Sequence, residues 1–102
     1  LALSALAFAA CGEETKTSTS SSGGDSKNAK QLFNQNCSSC HTLAAAGASG
    51  SFGPNLDELK PSETAVAAQE RSGGGGMPSF KDQLSDKQIQ AIAAYVADNA
   101  GK

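Results

Sequence analysis

The stretch "NQNCSSCHTLAAAG", residues 34–47, constrains the fold of this chain more than any other segment. Two serines separate Cys37 from Cys40, and His41 follows the second cysteine directly. His41 is also the single histidine of the 102-residue sequence. Two thiols and an imidazole on one short turn of chain can all reach the same bound group. The fold must therefore be compatible with such a turn.

Several kinds of site use a C-x-x-C pair, and the rest of the sequence separates them. A thioredoxin-like pair needs a βαβ setting, and no run of strand periodicity is visible. A structural zinc site needs four ligands, whereas this chain offers one cysteine pair, one histidine and the distant Cys11. A simple disulfide leaves the adjacent histidine unexplained. C-x-x-C-H is the spacing of covalent haem attachment, so the motif predicts one haem c.

The chemistry of haem attachment explains this spacing. The thiols of Cys37 and Cys40 add to the two vinyl groups of one porphyrin edge, so both must lie on the same side of the turn. His41 then becomes an axial ligand of the iron. A six-coordinate haem needs a second axial ligand, for which methionine or histidine is usual. Met77 is the single methionine and is predicted to be that ligand.

The setting of Met77 distinguishes an iron ligand from a residue that only fills a core. Methionine commonly fills gaps in apolar cores. Met77, however, lies outside any apolar helical face, after four glycines and before Pro78. Glycines allow the backbone to approach a flat macrocycle closely, and proline stiffens the chain that follows. These features favour an iron ligand.

The first 27 residues differ in composition from the rest. Residues 1–11, LALSALAFAAC, are apolar except for Ser4 up to the cysteine, which is typical of a secretory signal and too short to span a bilayer. The segment resembles a bacterial lipoprotein signal, with Cys11 as the lipidated residue; an ordinary signal with a free Cys11 is the alternative. We predict an incomplete, cleaved signal peptide at 1–10 and a lipid-anchored flexible Ser/Thr/Gly linker at 11–27.

Residues 28–102 are predicted to form a small all-α domain of three to four short helices. Ala29, Leu32 and Phe33 have helical spacing in the segment that leads to Cys37, and residues 42–60 are predicted to be irregular. A second helix is expected between Pro61-Ser62 and Gly73.

The last helix has the clearest signal, because Ser85 and Gln88 form a capping box. Its apolar stripe consists of Ile89, Ile92, Ala93, Val96 and Ala97.

Composition narrows the possible functions and raises a question of stability. A formal net charge of −2 and a pI near 5.2 provide no basic surface for a nucleic acid. A domain of about 75 residues has a small core and usually needs a disulfide, a metal or another covalent support. A covalently attached haem supplies that support.

With both iron ligands assigned, residues 28–102 resemble the class I cytochromes c of the small bacterial monohaem type. The resemblance rests on CSSCH, GPNL at 53–56, GGMP at 75–78 and the amphipathic C-terminal helix. It implies that the carbonyl of Pro54 accepts a hydrogen bond from the second ring nitrogen of His41, which orients the imidazole. It also implies that Asn55 and Leu56 lie against the haem.

The same resemblance implies that the first and last helices cross each other. Ala29 and Phe33 of the first helix would meet Ile92 and Tyr95 of the last. Ala29 stands where glycine is usual in the family.

The function that these features predict is that of a one-electron carrier rather than an enzyme, because two axial ligands leave no open iron position. The resemblance implies a quinol-oxidising complex as donor and a terminal oxidase as acceptor. We expect a monomer, tethered through a lipid anchor on the extracytoplasmic, periplasmic side of the bacterial cell membrane.

The alternative is a haem-based ligand-binding protein, such as a gas sensor or a small peroxidase, with a labile Met77 bond. Carbon monoxide binding by the reduced protein would distinguish the two hypotheses.

Overall fold

The computed structural model describes residues 22–102, which contain four α-helices. They are α1 (Ser22–Asn36), α2 (Leu56–Leu59), α3 (Glu63–Ser72) and α4 (Asp86–Asn99). Between α1 and α2, a two-stranded antiparallel ribbon of β1 (Thr42–Leu43) and β2 (Ala48–Ser49) encloses a 3₁₀ turn at Ala44–Ala46. The predicted small all-α fold is therefore confirmed.

The first helix begins earlier than expected. α1 starts at Ser22, ahead of the predicted domain boundary at residue 28, so the last part of the predicted linker is helical. Serine and glycine are weak helix formers, which made a later start the natural expectation. Propensity is a weak prior, and here the helix extends back from a packed portion in which Ala29 and Phe33 are buried.

Local capping sets the ends of α3 and α4 where the sequence predicts them. Ser62 Oγ accepts a hydrogen bond from the amide of Ala65 at 3.1 Å, and Gly73 follows the helix with a φ of 66°. At α4, Ser85 Oγ accepts from the amide of Gln88 at 3.1 Å, and Gln88 Oε1 accepts from the amide of Ser85 at 2.9 Å. Each such cap stabilises its helix by ~1 kcal/mol.

The stretch predicted to be irregular, residues 42–60, contains more order than the sequence suggested. Its ribbon turns at Gly47, whose φ of 70° is in the left-handed region. Two-residue strands are too short to produce a recognisable alternation of apolar and polar residues. Helix α2 spans a single turn, which likewise leaves no periodic pattern.

Helix α4 is the centre of the packing, because it contacts both α1 and α3. At the α1–α4 crossing, Ala29, Phe33 and Ile92 are buried, and the rings of Phe33 and Tyr95 lie 6.3 Å apart at 48°. That separation is within the range in which aromatic pairs attract each other. The crossing that the resemblance implied is therefore present.

A second contact holds the irregular segments to the end of α4. One carboxylate oxygen of Asp57 accepts from the amide of Ala44 at 2.8 Å, and the other accepts from the amide of Gly101 at 2.7 Å. These two hydrogen bonds lower the pKa of Asp57, because they favour the ionised carboxylate. Asp57 thus links the ribbon, α2 and the C-terminus of the chain.

The predicted signal peptide at 1–10, the predicted lipidation site Cys11 and most of the predicted linker lie outside the described residues. From Ser22 to Lys102, no helix combines the length and apolar character needed to cross a membrane.

Candidate functional site

A cavity of about 470 Å³ lies between α1, α3, α4 and the loops that connect them. Cys37, Cys40, His41 and Met77, the four residues predicted to hold a haem, all line it. The first three are local in sequence, but Met77 reaches the cavity only through the fold. The apolar side chains of the wall include Phe33, Leu56, Val66, Phe80, Ile92 and Val96.

The C-x-x-C-H turn continues directly from the end of α1. The amide of Cys37 donates to the carbonyl of Phe33 at 2.7 Å, and the amide of His41 donates to the carbonyl of Cys37 at 3.0 Å. The chain therefore stays coiled through the motif, which keeps both cysteines and the imidazole on one wall of the cavity. Cys37 and Cys40 are not joined to each other, so both sulfurs are available for thioether bonds.

The imidazole of His41 is held by the loop that follows the ribbon. Its Nδ1 lies 2.8 Å from the carbonyl oxygen of Pro54, the contact that the resemblance implied. A carbonyl accepts only from a protonated nitrogen, so this bond leaves Nε2 as the nitrogen that can bind a metal.

Gly53, next to Pro54, lies close against this ring. A Cβ atom at Gly53 would lie only 2.7 Å from Cε1 of His41. The imidazole is thus held by the hydrogen bond that it donates to the Pro54 carbonyl and by close contact with a residue that has no side chain.

Met77 is presented to the cavity by a tight glycine turn. The amide of Gly74 donates to the carbonyl of Met77 at 2.8 Å, and the amide of Met77 donates back at 3.1 Å. The two residues between them, Gly75 and Gly76, have φ angles of 63° and 92°. Positive φ at both central positions is the requirement of a type I′ turn, which glycine meets without strain.

Leu56 and Asn55 have different positions relative to the cavity. Leu56 is buried and lines it. The Asn55 side chain instead caps α2, accepting from the amides of Asp57 at 2.9 Å and Glu58 at 3.4 Å, and it is not part of the cavity wall. A contact between Asn55 and the haem stays a prediction, and in the structure the side chain caps α2. Its oxygen is used to satisfy the first amides of a helix.

The state of the Cys37 thiol argues against a redox-active C-x-x-C pair. Burial, then the charge of Glu70, then Cys40 raise the pKa of Cys37 to about 12. Cysteines that act in disulfide exchange have a lowered pKa, because the thiolate is the nucleophile. A zinc site is not supported either, since residues 22–102 contain no group of three or more His, Cys, Asp or Glu side chains placed to hold a metal.

Two residues of the site were missed in the sequence. Gly53 belongs to the GPNL motif but was assigned no role, because its contact with His41 arises from the fold. Glu70 is buried and lines the same cavity, with both carboxylate oxygens unpartnered. A signal for it existed: Glu70 lies four residues after Val66 and three after Ala67 on the buried side of α3. A charged residue on the apolar face of a helix indicates a buried, unusual environment.

The residues present fit one covalently bound haem c. Two free thiols stand two residues apart in the C-x-x-C-H turn, an oriented imidazole offers Nε2, and a thioether shares the same apolar cavity. Gly53, which leaves room beside the imidazole, fits as well.

Comparisons with known proteins agree with this geometry. The family model of the cytochrome c oxidase, cbb3-type, subunit III matches residues 24–96. Cytochrome c6 of Leptolyngbya boryana is 40% identical over 76 residues, which cover 71% of this chain and 89% of that protein. Cytochrome c6 of Parathermosynechococcus lividus is 37% identical over 82 residues, covering 76% and 94%.

Among solved structures, the c-type cytochrome SorU from Sinorhizobium meliloti superimposes with a TM-score of 0.74 at 40% identity, covering 79% of this chain and 97% of that one. Family match, relatives, fold and haem-binding motif agree, and the chain belongs to the c-type cytochromes as a small class I member with one covalent haem c.

Proposed function

We propose that this protein is a one-electron carrier whose haem is ligated by His41 and Met77. The observation that carries the proposal is that both residues reach one apolar cavity together with the two attachment cysteines. When bound, the haem supplies the Fe(III)/Fe(II) couple. The protein contributes a histidine and a thioether, and this ligand pair favours a high reduction potential.

The surroundings of the cavity support electron exchange with a partner protein. Phe52 and Leu59 line the cavity yet are 77% and 58% exposed. An apolar, accessible edge allows a partner to approach the haem without burying charged groups. Phe52 also approaches the glycine turn, where a Cβ on Gly76 would lie 3.2 Å from Cε1 of the ring.

The ligand role of Met77 is tested by Met77→Ala. We expect loss of the weak sulfur-to-iron charge-transfer band in the red, a lower reduction potential and carbon monoxide binding by the reduced variant. Met77→His is the matched control and should restore six-coordination without the high potential. A wild-type protein that lacks the red band and binds carbon monoxide readily would favour the ligand-binding alternative, a sensor or small peroxidase.

We also propose that the domain is tethered to the extracytoplasmic face of the cell membrane through a lipid on Cys11. The support is in the sequence, where an apolar segment ends at that cysteine and a Ser/Thr/Gly-rich segment follows. A tether keeps the domain at high effective concentration near membrane-bound partners. Cys11→Ser should release the protein from membranes with an unchanged haem spectrum; continued membrane association of that variant would contradict a lipid anchor.

For partners, we propose a quinol-oxidising complex as donor and a terminal oxidase as acceptor. The match to a family named for a subunit of a cbb3-type oxidase supports the acceptor. Membrane fractions of the source organism should reduce the oxidised protein when given quinol and should oxidise the reduced protein in air. Failure of both reactions, with the haem spectrum intact, would contradict the proposed donor and acceptor.

A further inference from the structure

Glu70 is the most unusual side chain of the described structure. It is 1% exposed, and neither of its carboxylate oxygens has a hydrogen-bond partner. Burying an ionised carboxylate without a partner is costly, and the group normally responds by holding a proton. A residue this unfavourable for folding calls for an explanation in function.

The position of Glu70 relates it to the haem cavity rather than to the protein core alone. It lines the cavity from α3, and its charge is one of the causes that raise the pKa of Cys37, which lines the same cavity. The carboxyl group therefore lies within electrostatic range of the attachment site. Its main-chain carbonyl accepts from the amide of Phe80 at 2.7 Å, which fixes α3 against the segment that follows Met77.

Few charged groups of the described protein lie near Glu70, so the charge of the haem can change its proton affinity. Arg71 is the one charged neighbour that acts on it, and Arg71 Nε lies 3.8 Å from Asp86 Oδ1 of α4. The titratable groups that share the cavity wall are Cys37, Cys40 and His41, which the haem would bind. The other charged side chains of α4 and of the loop before it are exposed: Lys81, Asp82, Lys87 and Asp98.

We propose that Glu70 binds a proton when the haem iron is reduced and releases it when the iron is oxidised, so that this carrier moves a proton with its electron. In the holoprotein, the bound haem would take up one electron from the donor, and the Glu70 carboxylate would take up one proton from the solvent and become the acid. Oxidation by the acceptor reverses both changes. The proposal rests on the electron-carrier function above.

The direction follows from charge. The oxidised haem carries one more positive charge than the reduced haem, so it favours the carboxylate; reduction removes that charge and favours the acid. As a general magnitude, at an effective dielectric constant near 20 a unit charge within roughly 10 Å of a carboxyl group changes its proton affinity about tenfold or more. Burial, opposed by Arg71, already raises the pKa of Glu70 to about 8, which brings the titration near neutral pH.

The test is the reduction potential of the purified holoprotein at an electrode between pH 5 and 9. We expect the wild-type potential to fall as pH rises, because each tenfold difference in proton affinity between the two oxidation states corresponds to about 59 mV for a one-electron couple. Glu70→Gln stays neutral and should keep the potential that the wild type has at low pH. Glu58→Gln, at an exposed position, is the matched control and should behave as the wild type.

A second measurement observes the proton directly. Redox-difference infrared spectroscopy should show a carboxylic-acid C=O band that appears on reduction in the wild type and in Glu58→Gln but not in Glu70→Gln. Glu70→Leu, in case the amide disturbs the fold, should give the same result as Glu70→Gln.

A flat wild-type potential would overturn the proposal. So would a slope of equal size in Glu70→Gln, which would assign the titration to the haem propionates. Because the purified protein and an electrode suffice, neither result depends on the lipid anchor or on the identity of the partners. An absent Met77 charge-transfer band would instead count against the ligand set.

Discussion

Gly53 offers the sharpest test of how the fold holds the proximal imidazole. In Gly53→Ala, the new Cβ atom would lie 2.7 Å from Cε1, 3.0 Å from Nδ1 and 3.1 Å from Nε2 of His41. Carbon atoms in contact prefer separations of about 3.5–4.0 Å. The ring or the loop must therefore move by roughly 1 Å.

Either movement lowers the stability of the folded protein. A shift of the ring strains the hydrogen bond of 2.8 Å between Nδ1 and the Pro54 carbonyl. A shift of the loop strains the hydrogen bond of 2.6 Å from the Gly53 amide to the Cys40 carbonyl. Overpacking of this kind costs ~1–3 kcal/mol. Each kcal/mol lowers the Tm of a domain of this size by roughly 4–8 °C.

We expect Gly53→Ala to unfold at a lower temperature and to show an altered visible spectrum, because displacement of the imidazole would disturb the proposed bond between His41 and the haem iron. Gly47→Ala is the matched control: no atom lies within 4 Å of a Cβ at Gly47, but its φ of 70° makes alanine unfavourable. It should lower the Tm and leave the spectrum unchanged. A Gly53→Ala protein with the Tm and spectrum of the wild type would refute the reasoning.

Three further outcomes are expected. Because hydrogen bonds lower the pKa of Asp57 below its unfolded value of 3.8, its contribution to stability is complete above that pH and is lost as pH falls through the folded pKa. Denaturant titrations should therefore show less acid sensitivity for Asp57→Asn than for the wild type; equal sensitivity would contradict this. Ile92→Ala should lower the free energy of unfolding by ~2–5 kcal/mol. A decrease of less than about 1 kcal/mol would contradict tight packing around Ile92. The double variant Cys37→Ala/Cys40→Ala should show no cooperative thermal unfolding by circular dichroism. A cooperative transition in that variant would disprove the structural role of the haem.

The predicted features that needed only short-range information agree with the structure. The capping box of Ser85 and Gln88, the cap at Ser62 and the end of α3 at Gly73 each involve residues close together in the chain. The C-x-x-C-H turn is local as well. Such features depend on backbone geometry and on side chains three or four residues apart, so the sequence alone indicates them.

Where the sequence was less informative, the reason was an interaction between distant segments or an element too short to leave a pattern. The ribbon at 42–49 and α2 have too few residues for periodicity, and the early start of α1 runs against propensity. Asn55 belongs to a motif that predicts a haem contact, and only the fold shows that its side chain caps α2.

What the sequence determined by itself is the attachment chemistry: two thiols followed by an imidazole, in the spacing that takes one haem c, with a single methionine predicted as the second iron ligand. The tertiary structure decided what surrounds that chemistry. The hydrogen bond between His41 and Pro54, the close approach of Gly53 and the buried carboxyl of Glu70 all depend on which segments meet across the cavity. Periodicity predicts which side of a helix is buried but not what lies opposite, because that is set by packing between segments far apart in the chain.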